Sequence, residues 1–133
     1  MSAYLPDRRR EKRHEVRLNA KLLFKASPQA TKFTVNSVGH GLTMVGATNN
    51  LSESGIGLVI SARSIDRYLT SAEYTVMVEL SLPSGPINFT IRPVRHERVA
   101  EGKTANKYFI AANILEIKET DRQNLLTYLR TLG

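Results

Sequence analysis

Between Arg17 and Ala26 the chain reads RLNAKLLFKA, with apolar residues at every second position. Leu18, Ala20, Leu22 and Phe24 share one side, while Arg17, Asn19, Lys21 and Lys25 mostly take the other. Period two marks a half-buried strand, because successive side chains of extended backbone point to opposite faces. The alternation returns in EYTVMVELSLP through Tyr74, Val76, Val78, Leu80 and Leu82, and in INFTIRPVRHERV through Ile87, Phe89 and Ile91, with Val94 following Pro93. IGLVIS and KYFIAANILEI predict two more apolar strands, and FTVNSVGHGLTMVGATNN predicts further strand with a bend near Gly39 and Gly41. SPQATK, LSESG and SGP read as turns or loops. Pro93 cannot donate to a ladder, so it predicts an edge or a bulge. Ile65, Tyr68 and Leu69 are spaced for a turn or two of helix. Several short strands at regular intervals argue for a barrel or a sandwich.

The period then changes. In TDRQNLLTYLRTLG, Leu125, Leu129 and Leu132 recur at helical spacing with Leu126 and Tyr128 alongside. This predicts an amphipathic helix over about 119–132, closing on the strands. Thr120, with Gln123 three residues on, has the form of a capping box.

A length of 133 residues suits one modest core. The absence of cysteine removes disulfides and thiolate metal sites. No apolar run is long enough to span a membrane, and MSAYLPDRRR has no signal-like segment, so a cytoplasmic location is expected. The net charge of +7 calls for an anionic partner. That charge is concentrated at the front, where residues 1–17 hold six Lys/Arg against three acids.

Catalytic and metal chemistry find little support. His14, His40 and His96 are scattered, with no ligand spacing between them. Ser52 and Ser54 lie near Gly55 but outside a nucleophile elbow. Gly102-Lys103-Thr104 lacks the upstream glycine of a phosphate loop and joins two strands. A non-enzymatic protein without cofactor or metal is expected.

Two short motifs remain. Arg13-x-x-x-Arg17 precedes the first strand and, taken alone, fits a solvated basic tail. Arg17 already belongs to the strand pattern, so Arg13 falls in an extended or coiled lead-in. Asn50-x-Ser52-x-x-Gly55, in NLSESG, is explained locally by a turn in which Asn and Ser bond the backbone and Gly supplies positive φ. The same turn could present amide, hydroxyl and bare N–H groups to a ligand.

Together the motifs resemble those of the PilZ family, the bacterial receptors for cyclic di-GMP. KRHEVRLNAKLLF is similar to the family's approach to strand one, NNLSESGIGLVI to its signature turn and next strand, and the Leu-rich C-terminus to its closing helix. Asn50 replaces the commoner Asp and cannot form a charged pair with arginine, and Ala112 lies near where many members have Gly.

The resemblance implies an all-β fold, a six-stranded antiparallel PilZ-type barrel with a C-terminal helix. Residues 1–16 would be a flexible basic lead-in and 17–133 the barrel domain. It implies cyclic di-GMP as ligand, with Arg13 and Arg17 gripping guanine and phosphate, and Asn50, Ser52 and the backbone near Gly55 holding the other guanine. Arg9, Arg10 and Lys12 would make outer contacts, Lys12 favouring a stacked pair of ligands over one. The lead-in would order over the ligand and signal to a downstream protein partner. Arginine suits this task, because its planar fork pairs with phosphate and with guanine O6/N7. Two alternatives stay open: a basic arm for nucleic acid, and a protein-interaction barrel that binds no nucleotide. Nucleic acid is disfavoured, because the 9 Phe and Tyr residues fall mostly on core-like positions and form no stacking rows.

Overall fold

A computed structural model describes residues 12–26, 42–61, 69, 74–101 and 105–133. Strands β1 (Asn19–Ala26), β2 (Leu42–Leu51), β3 (Gly55–Ser61), β4 (Tyr74–Leu82), β5 (Gly85–Glu101) and β6 (Ala105–Ile117) precede helix α1 (Glu119–Thr131). The strands close into an antiparallel barrel in the order β1-β2-β3-β6-β5-β4. Closure is physical as well as topological, because β1 pairs with β2 along one edge and with β4 along the other. A closed barrel leaves no long free edge to aggregate.

The alternating residues fill the interior. Ala20, Leu22 and Phe24 meet Ile56, Leu58 and Ile60, Val76, Val78, Leu80 and Leu82, Ile87, Phe89 and Ile91, with Tyr108 and Ile110. At about 1.5–3 kcal/mol for each large apolar side chain buried, this core is the main source of stability.

The β5–β6 pair carries two irregularities. Thr90 pairs with Glu116 and Ile91 with Ile114, so Leu115 is extra; Pro93 pairs with Ala112 and Arg95 with Ala111, so Val94 is extra. The bulge expected at Pro93 is present. Val94, out of phase with Ile87, Phe89 and Ile91, is 63% exposed, and the extra residue puts Arg95, which shares their phase, on the outer face. A bulge shifts the pleat by one residue, so the period fails there.

Helix α1 buries Leu125 against the barrel, with Tyr128 and Leu129 partly buried beside it. Leu132 lies past the last turn and is exposed. The expected capping box does not form: the cap is Lys118, which makes no side-chain cap bond, and Gln123 Nε2 donates to Glu119 Oε2 at 2.8 Å. Ile117 is still paired with Phe89, so the helix must start directly after the strand and Thr120 already lies inside it. Asp121 Oδ2 instead accepts from the Asn88 amide at 3.2 Å, tying the first turn to β5. The bend at Gly39 and Gly41 and the helical turn near Ile65 fall outside the described residues, apart from Leu69, which is buried.

Candidate ligand-binding site

The lead-in is extended and lies along the end of β2. His14 and Leu51 exchange both backbone hydrogen bonds at 2.9 Å. The Leu18 amide donates to Thr48 Oγ1 at 2.8 Å, the Thr48 amide donates to the Leu18 carbonyl at 2.9 Å, and Thr48 Oγ1 donates to the Val16 carbonyl. One buried hydroxyl thus satisfies two lead-in groups that no regular ladder would reach. His14, Val16 and Leu18 turn toward the protein, and Arg13, Glu15 and Arg17 are exposed. Both arginines therefore point outward from one face of extended chain. Their Cα atoms are about 13 Å apart at ordinary strand rise, enough for each to take a different group of one ligand. Among the described residues neither guanidinium has a hydrogen-bond or ion-pair partner.

The signature turn has the opposite character. The Ser52 amide donates to the Gly55 carbonyl at 2.9 Å, and the Gly55 amide donates to Ser52 Oγ at 3.1 Å. Ser52 Oγ in turn donates to the Gly55 carbonyl at 3.3 Å, and Ser52 is buried. Its hydroxyl braces the turn. Ser54 is tied across to β6, its carbonyl accepting from the Ile114 amide at 2.8 Å.

Gly55 does not hold the positive φ expected of it; the positive-φ glycines among the described residues are Gly85 and Gly133. A Cβ at Gly55 would meet the Ala112 carbonyl at 3.4 Å and Ser52 Oγ at 3.5 Å, ordinary contact distances. Backbone geometry therefore does not demand glycine at 55, and its effect is to leave the peptide surface bare.

Asn50 sits at a bulge. Thr48 pairs with Leu58 and Asn50 with Gly57, so Asn49 is the extra residue. The bulge brings the two asparagines together, with Asn50 Nδ2 donating to Asn49 Oδ1 at 2.7 Å. Both lie over Gly57, where a Cβ would stand 2.6 Å from Asn50 Nδ2 and 2.7 Å from Asn49 Oδ1. Sequence reading missed Thr48, Asn49 and Gly57. The G-x-G of SGIGLV was the available trace of the last.

Two hollows flank this arrangement. Arg17, Thr48 and Asn49 line one end of a groove of about 730 Å³ that continues past Lys21, Ala47 and Val59 on the outer wall. On the other side a cleft of about 510 Å³ separates Lys12, His14 and Glu53 from Leu126 and Leu129. Arg122 Nη2 of α1 donates to Glu53 Oε2 of the signature turn at 3.2 Å, and beyond the helix the Gly133 carbonyl accepts from Lys12 Nζ, next to Arg13, at 3.2 Å. The structure thus brings Arg13, Arg17, Asn50, Ser52 and Gly55 to one end of the barrel with Lys12 beside them, while Arg9 and Arg10 lie outside the described residues. No cluster of potential metal ligands occurs among the described residues. None of their helices is long and apolar enough to cross a membrane.

The fold is thus a closed six-stranded antiparallel barrel with a C-terminal helix, an exposed arginine pair beside β2 and a serine-braced turn. The PilZ domain family matches residues 7–131, and the chain belongs to that family. No curated protein matches the sequence significantly. Among solved structures, the chain is similar to the inhibitor of motility MotI/DgrA of Bacillus subtilis, at 17% identity and TM-score 0.58, over 93% of this chain and 50% of that one. It is similar to the PilZ domain of YcgR from Escherichia coli with c-di-GMP, at 15% identity and TM-score 0.57, over 94% and 91%. It is also similar to MrkH of K. pneumonia, described as a c-di-GMP-dependent transcription regulatory factor, at 15% identity and TM-score 0.61, over 93% and 50%. The chain spans about half the length of the MotI and MrkH chains.

Proposed function

We propose that the chain is a non-enzymatic cyclic di-GMP receptor whose lead-in closes over the ligand and presents a changed surface to a protein partner. The observation that carries this reading is the juxtaposition of Arg13 and Arg17 with the bare backbone at Gly55. The fold leaves both guanidinium groups exposed and does not need glycine at that position. Each is understood as ligand chemistry. Arg13 and Arg17 take guanine and phosphate, Asn50 offers its amide to the second guanine, and the Gly55 backbone lets that base approach. Ser52 shapes the turn that presents them. Lys12, with Arg9 and Arg10, adds positive potential around the phosphates.

A bidentate arginine–guanine contact gives roughly 1–3 kcal/mol of discrimination against other bases. Ordering a chain segment over the ligand costs about 2–5 kcal/mol. Several such contacts leave affinity on the order of micromolar or somewhat better. Calorimetric titration of cyclic di-GMP, cyclic di-AMP and GTP into the wild type and Arg13→Ala tests this directly. Selective heat for cyclic di-GMP, lost in Arg13→Ala, is expected. Equal heats for all three nucleotides, or an unaffected variant, would overturn the reading. Oligonucleotide binding with a steep salt dependence would point instead to a nucleic-acid arm.

A further inference from the structure

The strand register places residues from four strands in one row across the outer wall. Asn50 of β2 pairs with Gly57 of β3, Gly57 with Ala111 of β6, and Ala111 with Arg95 of β5. Ile56 and Leu58 are buried in the core, as are Ile110 and Ala112, so Gly57 and Ala111 face outward. The side-chain amides of Asn49 and Asn50 lie over Gly57, which is buried beneath them, so the open part of the row is the Ala111 methyl between those amides and Arg95. Three interstrand spacings make the whole row about 14 Å wide.

Arg95 stands at its far side. It is exposed, and its guanidinium carbon lies 5.8 Å from the centre of the Phe109 ring. Phe109 is the outward residue next to Ala111, and it pairs with Glu97. A guanidinium resting on an aromatic face keeps its in-plane N–H donors available for acceptors alongside. Phe109 thus holds the group beside Ala111 without using its fork. The Val94 bulge sets this position, because without the extra residue the Arg95 side chain would fall on the opposite face of β5.

We propose that Arg95 is a third arginine of the site, reaching from β5 across Ala111 toward the Asn49 and Asn50 amides, to the guanine edge or phosphate of the ligand. This rests on the cyclic di-GMP reading and extends the site from the signature turn to the fourth strand of the row.

Calorimetric titration of cyclic di-GMP into the wild type, Arg95→Ala, Arg95→Lys and Lys25→Ala separates the possibilities. Lys25 is an exposed β1 residue that controls for lost charge. Loss of one forked contact is expected to weaken Arg95→Ala by about tenfold. Arg95→Lys, which keeps the charge but not the fork, should stay nearer to Arg95→Ala than to the wild type. Lys25→Ala should bind as the wild type does. Absence of wild-type binding would overturn the receptor reading and this inference together. Wild-type binding with an unaffected Arg95→Ala, or with equal losses in Arg95→Ala and Lys25→Ala, would overturn this inference alone. Thermal midpoints without ligand check that the fold is intact. If Arg95→Ala is destabilised, Arg95→Gln, which keeps an aliphatic stem over Phe109, takes its place under the same criteria.

Discussion

The signature turn and the arginine lead-in meet at Leu51 but are built on opposite plans. In the turn, the Ser52 amide and hydroxyl are both spent on Gly55, and Ser52 is 5% exposed. In the lead-in, the backbone is anchored through His14, Val16 and Leu18 while Arg13 and Arg17 remain exposed. One half is preorganised and contributes shape. The other is tethered and contributes charge and forked donors. A rigid turn costs little further entropy on binding, whereas long arginine side chains must be ordered by the ligand itself. Substitutions in the lead-in should therefore read out in affinity alone, and those at the joint or the turn in stability as well.

The widest separation is expected for the double variant Arg13→Ala, Arg17→Ala. Removing two forked contacts costs roughly 2–6 kcal/mol of binding, which weakens a micromolar complex at least about 30-fold. Both residues are exposed, so the unfolding free energy should stay within about 0.5 kcal/mol of wild type. Calorimetry alongside urea titration reads both quantities. A stability loss of the same size as the binding loss would break the contrast.

Thr48→Val comes next, because it attacks the joint between the halves. Valine fills the space but leaves the Leu18 amide and the Val16 carbonyl without their shared partner. Burying such groups unpaired costs about 1–3 kcal/mol. The urea midpoint should fall, and the Leu18 amide should exchange with deuterium faster than those of β3. Unchanged Leu18 exchange would show that the lead-in is held by other means.

Gly57→Ala should be milder for stability and still visible in binding. Its new methyl meets the side-chain ends of Asn49 and Asn50, which can swing aside without disturbing backbone. Loss of one polar contact to ligand, about 1 kcal/mol, corresponds to roughly fivefold in affinity. Stability should fall by less than that. A larger loss of stability than of affinity would place Gly57 in the packing of the barrel.

The sequence made the barrel legible wherever one face of a strand is buried and its period runs unbroken, as in β1, β3 and β4. It was silent where the period slips: Arg95 shares the phase of Ile87, Phe89 and Ile91, yet the bulge at Val94 turns it outward. The helix was readable from its leucines, but its cap was not, because Ile117 still pairs with Phe89 and fixes where the helix can begin. Arg13, Arg17, Asn50, Ser52 and Gly55 were found as motif positions, and they do gather at one end of the barrel. Thr48, Asn49, Gly57 and Arg95 could not be found that way. Their roles depend on which residues pair across strands, and period-two patterning fixes faces without fixing register.

The smallest expected effect belongs to the pair that joins the turn to α1. Arg122 and Glu53 are 3.2 Å apart, with side chains 42% and 41% exposed. A pair so open to water contributes less than about 1 kcal/mol to stability, and Arg122→Ala should barely move the urea midpoint. Its consequence for binding is different in kind. Glu53 lies inside the signature turn, so an unpaired carboxylate there would face the phosphates of a bound ligand. With Arg122 removed, affinity should drop by a factor of about two to five at low ionic strength and recover as salt screens the repulsion. The double variant Arg122→Ala, Glu53→Gln should bind as the wild type does. Titrations of the three proteins at two salt concentrations decide it: a loss in Arg122→Ala that salt does not relieve would mean that the helix supports the turn by packing and not by neutralising its charge.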